Sequence, residues 1–514
     1  MKVTKILAAF SVFMSAVVLL TACGANGSGR SNAKKDELIV AMAAEPQMVD
    51  PQADNNANNA KVARQMFECL VLMNNDGEIE PWLAEAWEFE TEDSIMFHLR
   101  KGVKFHNGGE LTAGDVLFSF KRGLELAPQV ASILDMMDLE KCEIIDDYTI
   151  RIKMTAPFAP ILRHLAHPAA AIVSEKAVTE AGNEAFTHAP LGGTGAFKFV
   201  SWNAGDKITM ERFEDYWGAK PTFKTLTFRF IAEGTNRTIE LETGAVDVSL
   251  NIQANDVAKI EENAELTMYR GPGLGNTFAR FNTLREPLTD ANVRLALVKA
   301  LNVESMVQAV FFGTGVPSYG LMSSQVWGYN DEYPPYSYDP EAAKNLLADA
   351  GYPDGFEITL MVSDNQDRMN MAEIMQNQWK AIGISSKLQV FETGTFFDHY
   401  GKNDYDICIV GMTTVTRDAD YGLNQMWPTS ATPEGMEPLY SNPEVDRMLE
   451  DGRKLTDDEA TRKKLYFDIQ KIILDYVPMV PLFESEVLAA SRANLKGFEM
   501  NAAEHFMFKQ CYFE

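Results

Sequence analysis

Apolar positions recur with two periods along this chain, and their alternation predicts an α/β fold. Leu38–Ala41 is a short apolar run that reads as a strand. Lys61–Leu72 places Val62, Met66, Leu70 and Val71 on one helical face, and Asn74-Asn75-Asp76-Gly77 then turns the chain. Ile95, Phe97 and Leu99 alternate within Ser94–Arg100, as do Ile150, Ile152 and Met154 within Tyr148–Met154, so each set lines one face of a strand. Thr112 with Asp115 forms a capping arrangement for a helix carrying Val116, Phe118 and Phe120.

The second half is punctuated more sharply. Asp339-Pro340-Glu341 supplies an N-cap followed by proline at the first helical position, and Gly351 ends that helix. Glu357–Val362 reads as a strand, Met369–Lys380 as a helix closed by Gly383, and Ile384–Phe391 and Asp406–Val410 as further strands. Helices follow at Glu444–Glu450 and Asp457–Tyr476. Strand and helix alternate in the manner of a parallel sheet, broken by hairpin-like pieces near residues 90–155. The expected architecture is two large lobes with a smaller inserted domain.

Length supports the division, since 514 residues exceed the ~250–300 that one core organises. With 46% hydrophobic and 23% charged residues the chain is not largely disordered. A formal charge of −27 argues against nucleic acid or an anionic membrane surface as the main partner.

The first residues carry an export pattern. Lys2 and Lys5 form a basic head, Ile6–Leu20 is apolar apart from serines, and residues 1–22 read as a signal peptide. Leu20-Thr21-Ala22-Cys23 resembles the bacterial lipobox, which implies that Cys23 is lipidated and becomes the new N-terminus; an ordinary cleaved signal is the alternative. Residues 23–35 are rich in Gly, Ser and Asn and form a flexible linker, with a reach of ~20 Å for a dozen residues. No second apolar run of that length follows, so the body is expected to be soluble.

Catalytic signatures are sparse. Cys69, Cys142, Cys408 and Cys511 lack C-x-x-C spacing; they permit three complete pairings or none. Buried free thiols are favoured, with Cys69 on a helix and Cys408 on a strand. Leu191–Lys198 is glycine-rich but lacks the Gly-Lys-Ser/Thr ending of a phosphate loop, and Gly271-Pro272-Gly273-Leu274-Gly275 reads as a turn. His164 and His167 stand three apart without a His-Glu-x-x-His arrangement, so neither a metal nor a cofactor is expected. Nor is there a nucleophile elbow. A secreted hydrolase therefore has no positive support, and no enzyme is expected.

The chain resembles the large solute-binding proteins of bacterial peptide and nickel ABC importers, extracellular family 5. The resemblance runs through Glu45-Pro46 to Asp50-Pro51, Met66-Phe67-Glu68 and Pro81-Trp82-Leu83-Ala84. Phe97-His98-Leu99-Arg100-Lys101-Gly102-Val103-Lys104-Phe105-His106-Asn107-Gly108 and Leu111-Thr112-Ala113-Gly114-Asp115-Val116 carry it furthest. Gly193–Phe199, Asp215-Tyr216-Trp217-Gly218 and Phe281-Asn282-Thr283 ahead of Val293-Arg294 extend it. Most of these residues also have a structural reading, with Lys101-Gly102 and Trp217-Gly218 at turns.

The resemblance implies a two-lobed periplasmic-binding-protein-like α/β fold, type II and large, with an inserted extra domain. Lobe I would combine 36–80, 186–275 and 487–514, the inserted domain 81–185, and lobe III 276–486. It implies capture of a short peptide, dipeptide or oligopeptide or glutathione-like, by lobe closure, and delivery to ABC importer permease subunits. A monomer outside the cytoplasm, held to the membrane through Cys23 and binding no nucleic acid, is expected. A nickel chelate, haem or an oligosaccharide is the alternative ligand on the same fold, and a lipid-anchored enzyme or adhesin the alternative of another class. For the site, the Ala-Asp-Tyr context implies that Asp420, next to Tyr421, holds the peptide's α-amino group, because a desolvated ammonium needs a carboxylate. An ordinary Arg417–Asp418–Asp420 surface cluster is the competing reading. Gly411, Met412 and Thr413 would offer main-chain partners to an added strand. Asn55, Asn56 and Ala57 would face the ligand from the other lobe, and Arg368 would take its carboxylate.

Overall fold

The computed structural model describes residues 35–54, 56–433, 436–456 and 458–514. The signal segment, Cys23 and all of the linker except Lys35 lie outside the described residues. A mixed sheet of eleven strands runs through the body. Its order is Ser385–Phe391, Glu357–Ser363, Ile407–Thr413, Leu266–Phe281, Met479–Arg492, Val248–Leu250, Glu37–Met42, Thr225–Phe230, Lys207–Arg212 and Phe197–Asn203. Val316–Pro317 pairs beside Met479–Arg492.

Two long antiparallel strands, Leu266–Phe281 and Met479–Arg492, join the halves of this sheet. Their register breaks where Gly273, Leu274 and Gly275 stand between the Pro272–Glu486 and Asn276–Glu484 pairs, opposite Ser485. A Cβ on Gly275 would lie 2.7 Å from the Ser485 hydroxyl, so glycine permits the close approach. The run 271–275 is therefore a bulge in a continuous strand, not the turn its glycines suggested. Bulges bend and twist a strand pair. The expected lobe limits at 275/276 and 486/487 fall at this bend.

Burial explains the two-period pattern. On the strand Ile407–Thr413, Ile407 and Ile409 enter one core with Leu360 and Val362. Cys408 and Val410 enter another with Met361. Both faces are covered, which is why the strand reads as an unbroken apolar run. A third core joins Leu38, Val62, Phe197 and Phe228 to the C-terminal Phe506 and Phe508. A fourth packs the four-stranded antiparallel sheet Ala84–Thr91, Ser94–Leu99, Thr149–Lys153 and Glu143–Asp146 against the helix Ala113–Leu126. That helix starts as expected, with the Thr112 backbone N–H donating to the Asp115 carboxylate at 3.1 Å.

One expected helix is wrong. Over Lys61–Leu72 the helix is Ala57–Ala63, and Cys69 lies on non-helical chain. The carbonyls of Gln65 and Met66 accept instead from Phe197 and Gly195. The apolar face divides, Val62 and Met66 serving one core and Leu70 and Val71 the next. The four body cysteines are free thiols, Cys69, Cys408 and Cys511 buried and Cys142 half-buried. No described helix is long and apolar enough to cross a membrane.

Candidate functional site

The loop after the strand Ile407–Thr413 meets residues far from it in the chain. Arg417 donates through Nη1 to the Asn74 and Asn75 carbonyls. Arg163 donates to the Gly77 carbonyl at 2.8 Å and stands 3.4 Å from the Asp418 carboxylate. Arg417 holds φ at 53°, an uncommon setting for a side-chain-bearing residue, and its carbonyl accepts from Trp327. Such strain is kept where the surroundings over-determine it.

Three adjoining cavities lie at this junction. The smallest, about 320 Å³, is faced by Arg64, Arg163, Arg417, His167 and His505, with Val415 contributing an apolar wall. A second of about 800 Å³ shares Arg64, Met73, Asn501 and His505 with it and extends to Trp82 and Lys509. A third of about 1280 Å³ shares Arg163 and reaches Trp327, Asp418 and Arg462. Burial pulls the Arg64 and Arg417 guanidiniums below their ordinary range, and Arg163 adds to the effect on Arg417. Burial, then His164 and Arg64, push His167 down to about 3. Burial, Arg64 and His167 hold His505 well below its usual value. Both imidazoles are therefore neutral at pH 7.

Asp420 stands in the first turn of the helix Ala419–Met426 and is fully buried. Arg453 Nε donates to its two oxygens at 2.9 and 3.1 Å and Nη2 donates to Oδ2 at 2.9 Å. Asn424 and the Tyr466 hydroxyl donate as well. A ligand ammonium could reach this carboxylate only in exchange for Arg453. Arg453 also lies over the Phe158 ring, and its carbonyl accepts from Ala159. Asp418 caps the same helix and pairs with Arg462 at 2.6 Å. The Arg417–Asp418–Asp420 segment is thus buried, not a surface cluster. Tyr421 and Asp420 line a separate cavity of about 1010 Å³ with Asp135 and His164.

The other expected positions are dispersed. Ile407–Thr413 is an inner strand, bonded along its length to Leu266–Phe281. On its other side Glu357–Ser363 pairs only with Ile407 and Cys408, so no described strand pairs Gly411, Met412 and Thr413 there. Arg368 lies beside Gly411, its Nη2 3.2 Å from where a Cβ would stand, and Nη1 reaches Ser363. Asn55 is outside the described residues. Asn56 caps the helix Ala57–Ala63 by accepting from Asn58, and both Asn56 and Ala57 are exposed. Sequence reasoning missed Arg64 and His505 altogether and weighed His167 only as a metal ligand. Among the described residues no group of three or more His, Cys, Asp and Glu could hold a metal ion.

Comparison with known proteins agrees with this architecture. Residues 78–434 match the family model of bacterial extracellular solute-binding proteins, family 5 middle. The glutathione-binding protein GsiB of Pectobacterium atrosepticum is 28% identical over 483 residues, 92% of this chain and 93% of its own. The dipeptide-binding protein of Escherichia coli is 30% identical over 483 residues, 88% of this chain and 89% of its own. The solved DppA of Helicobacter pylori in complex with the peptide STSA superposes with a TM-score of 0.76 at 27% identity, covering 94% of this chain and 98% of that one. Sheet, cores and family match converge on two-lobed periplasmic-binding architecture, and the chain belongs to the bacterial extracellular solute-binding proteins of family 5.

Proposed function

We propose that this protein captures short peptides between its lobes and hands them to the permease subunits of an ABC importer, making and breaking no bond. The observation that carries the reading is the cleft itself, walled by side chains from sequence-distant segments: Arg64, Arg163, Val415, Arg417 and His505. Relatives named for dipeptide and glutathione binding, and a neighbour solved with a peptide, support it. The bulged strand pair Leu266–Phe281 and Met479–Arg492 would serve as the hinge, and the open side of Gly411–Thr413 would receive peptide main chain. Titration calorimetry with di- and tripeptides tests this. One-to-one binding with the peptide recovered intact is expected; release of cleaved peptide, or no binding by any peptide, overturns it.

Within this reading Asp420 acts by holding Arg453 rather than by meeting the ligand. Asp420→Asn and N-acetylation of the peptide should then weaken binding independently, their effects adding within about 0.5 kcal/mol. If acetylation costs the parent heavily and the Asp420→Asn variant nothing, Asp420 is the ammonium anchor.

Anchoring through Cys23 completes the proposal, as Leu20–Cys23 follows an apolar run. Cys23→Ala is expected to move the protein from the membrane fraction to the soluble one. Undiminished membrane retention in fractionation would count against a lipid on this residue.

A further inference from the structure

We infer that the peptide taken by this cleft is anionic, an acidic di- or tripeptide whose carboxylates lie against Arg64, Arg417 and His167. The inference rests on the peptide reading above and names the class of peptide.

In a chain of formal charge −27, the 320 Å³ cavity is faced by three arginines and two histidines, and no aspartate or glutamate lines it. Two neighbouring acids are committed elsewhere. Asp418 is shared by Arg462 and Arg163. Glu68 accepts from four protein donors. Arg64 has no ion pair or hydrogen bond from its side chain among the described residues, and its Nε is buried without a partner. Arg417 donates its hydrogen bonds to carbonyl oxygens, from Asn74, Asn75 and Gln325, and the Asp76 carboxylate acts on it only through space.

His167 points the same way. It is 6% exposed, and its Nδ1 accepts from the Ala169 backbone N–H at 3.2 Å. That bond leaves the proton on Nε2, a donor with no acceptor among the described residues, at the cavity wall. The His505 ring packs edge-on against it, centroids 6.0 Å apart. Buried charges are normally paired, and a guanidinium fork suits a carboxylate. Arg64 Nε and the His167 Nε2–H, donors left without an acceptor among the described residues, are what a closed cleft offers a ligand that brings the acceptors. This cavity has room for little more than one carboxylate group, and the larger second cavity, which shares Arg64 and His505 but also carries Asp76, Glu80 and Glu499, would take the rest of the ligand.

Calorimetry with Ala-Ala-Ala, Glu-Ala-Glu and Lys-Ala-Lys tests the inference. Glu-Ala-Glu should bind at least about tenfold tighter than Ala-Ala-Ala, with Lys-Ala-Lys weakest, and its affinity should fall as salt rises. Arg64→Gln should weaken Glu-Ala-Glu by roughly thirtyfold, the loss typical of a truncated buried charge pair, and collapse its advantage over Ala-Ala-Ala. Arg417→Gln offers a second reading if Arg64→Gln folds poorly. Equal affinity for the three peptides, or equal losses for all on Arg64→Gln, overturns the anionic class and leaves peptide capture standing. If no peptide binds but citrate does with Arg64 dependence, peptide capture falls and the anion site stands. Binding by neither sinks both.

Discussion

Glu68→Ala is expected to lower stability by about 4 kcal/mol or more, among the largest losses a single substitution causes. Glu68 is 7% exposed. Its Oε1 accepts from the Trp82 indole at 2.9 Å and the Tyr216 hydroxyl at 2.8 Å. Oε2 accepts from Thr194 at 2.9 Å and the Trp217 indole at 2.8 Å. Lys509 tightens the cluster, donating to the Tyr216 hydroxyl at 2.8 Å while lying over the Trp82 ring. Hydrogen bonds to a charged group are worth ~1.5–3 kcal/mol each, and a stranded buried donor adds its own desolvation cost. Water entering the vacated space would recover part of the loss, so the sum of four bonds overstates it. With total stabilities of ~5–15 kcal/mol, the alanine variant should be poorly folded at 37 °C. Glu68→Gln keeps the shape and one acceptor and should lose roughly half as much. Urea midpoints for the three proteins measure this. A loss under about 1 kcal/mol for Glu68→Ala would show that the network contributes little.

That cluster also shows what could and could not be read from the sequence. Glu68, Trp82, Thr194, Tyr216 and Trp217 all fall in segments recognised by their resemblance to the family, yet nothing in their spacing says that they meet on one carboxylate. Gly193 and Gly195 looked like a failed phosphate loop. In the fold a Cβ on Gly193 would stand 2.0 Å from the Met66 carbonyl, so the glycines admit a neighbouring backbone. Period and punctuation located the strands at Leu38, Glu357 and Ile407 and the helices that carry Glu341 and Glu444, because local burial decides those. The cleft was not legible. Arg64, Arg163, Arg417 and His505 are brought together only by the tertiary fold, and each looks like an ordinary solvated residue where it stands in the chain. Asp420 stood in a recognisable context, but its partner Arg453 comes from another helix.

Acid is expected to unfold this protein in part through His106. This residue sits in the signature segment, half-buried, its ring edge-on to Phe213 with centroids 5.0 Å apart. Nε2 donates to the Gly195 carbonyl at 2.9 Å, and Nδ1 is buried without a partner. Protonation would place a second N–H where nothing accepts it. Burial is the main cause that lowers its pKa to about 4, with Lys198 adding and the Gly195 bond opposing. An unfolded histidine titrates near ~6.5. Between those values the unfolded chain binds the proton that the native chain refuses, so stability rises with pH across this window. The contribution is fully present above about pH 6.5 and is lost progressively as pH falls toward 4, amounting to roughly 3 kcal/mol. His167, held at about 3 by its burial, adds a loss of the same sign over a window that reaches lower. In His106→Gln the amide can still donate to Gly195 but takes no proton. Whatever the substitution costs at pH 7.5, the slope of stability against pH between 6.5 and 4.5 should be shallower than in the parent. Urea unfolding at five pH values in that window reads the slope directly, and parallel curves for the two proteins would rule His106 out as an acid trigger.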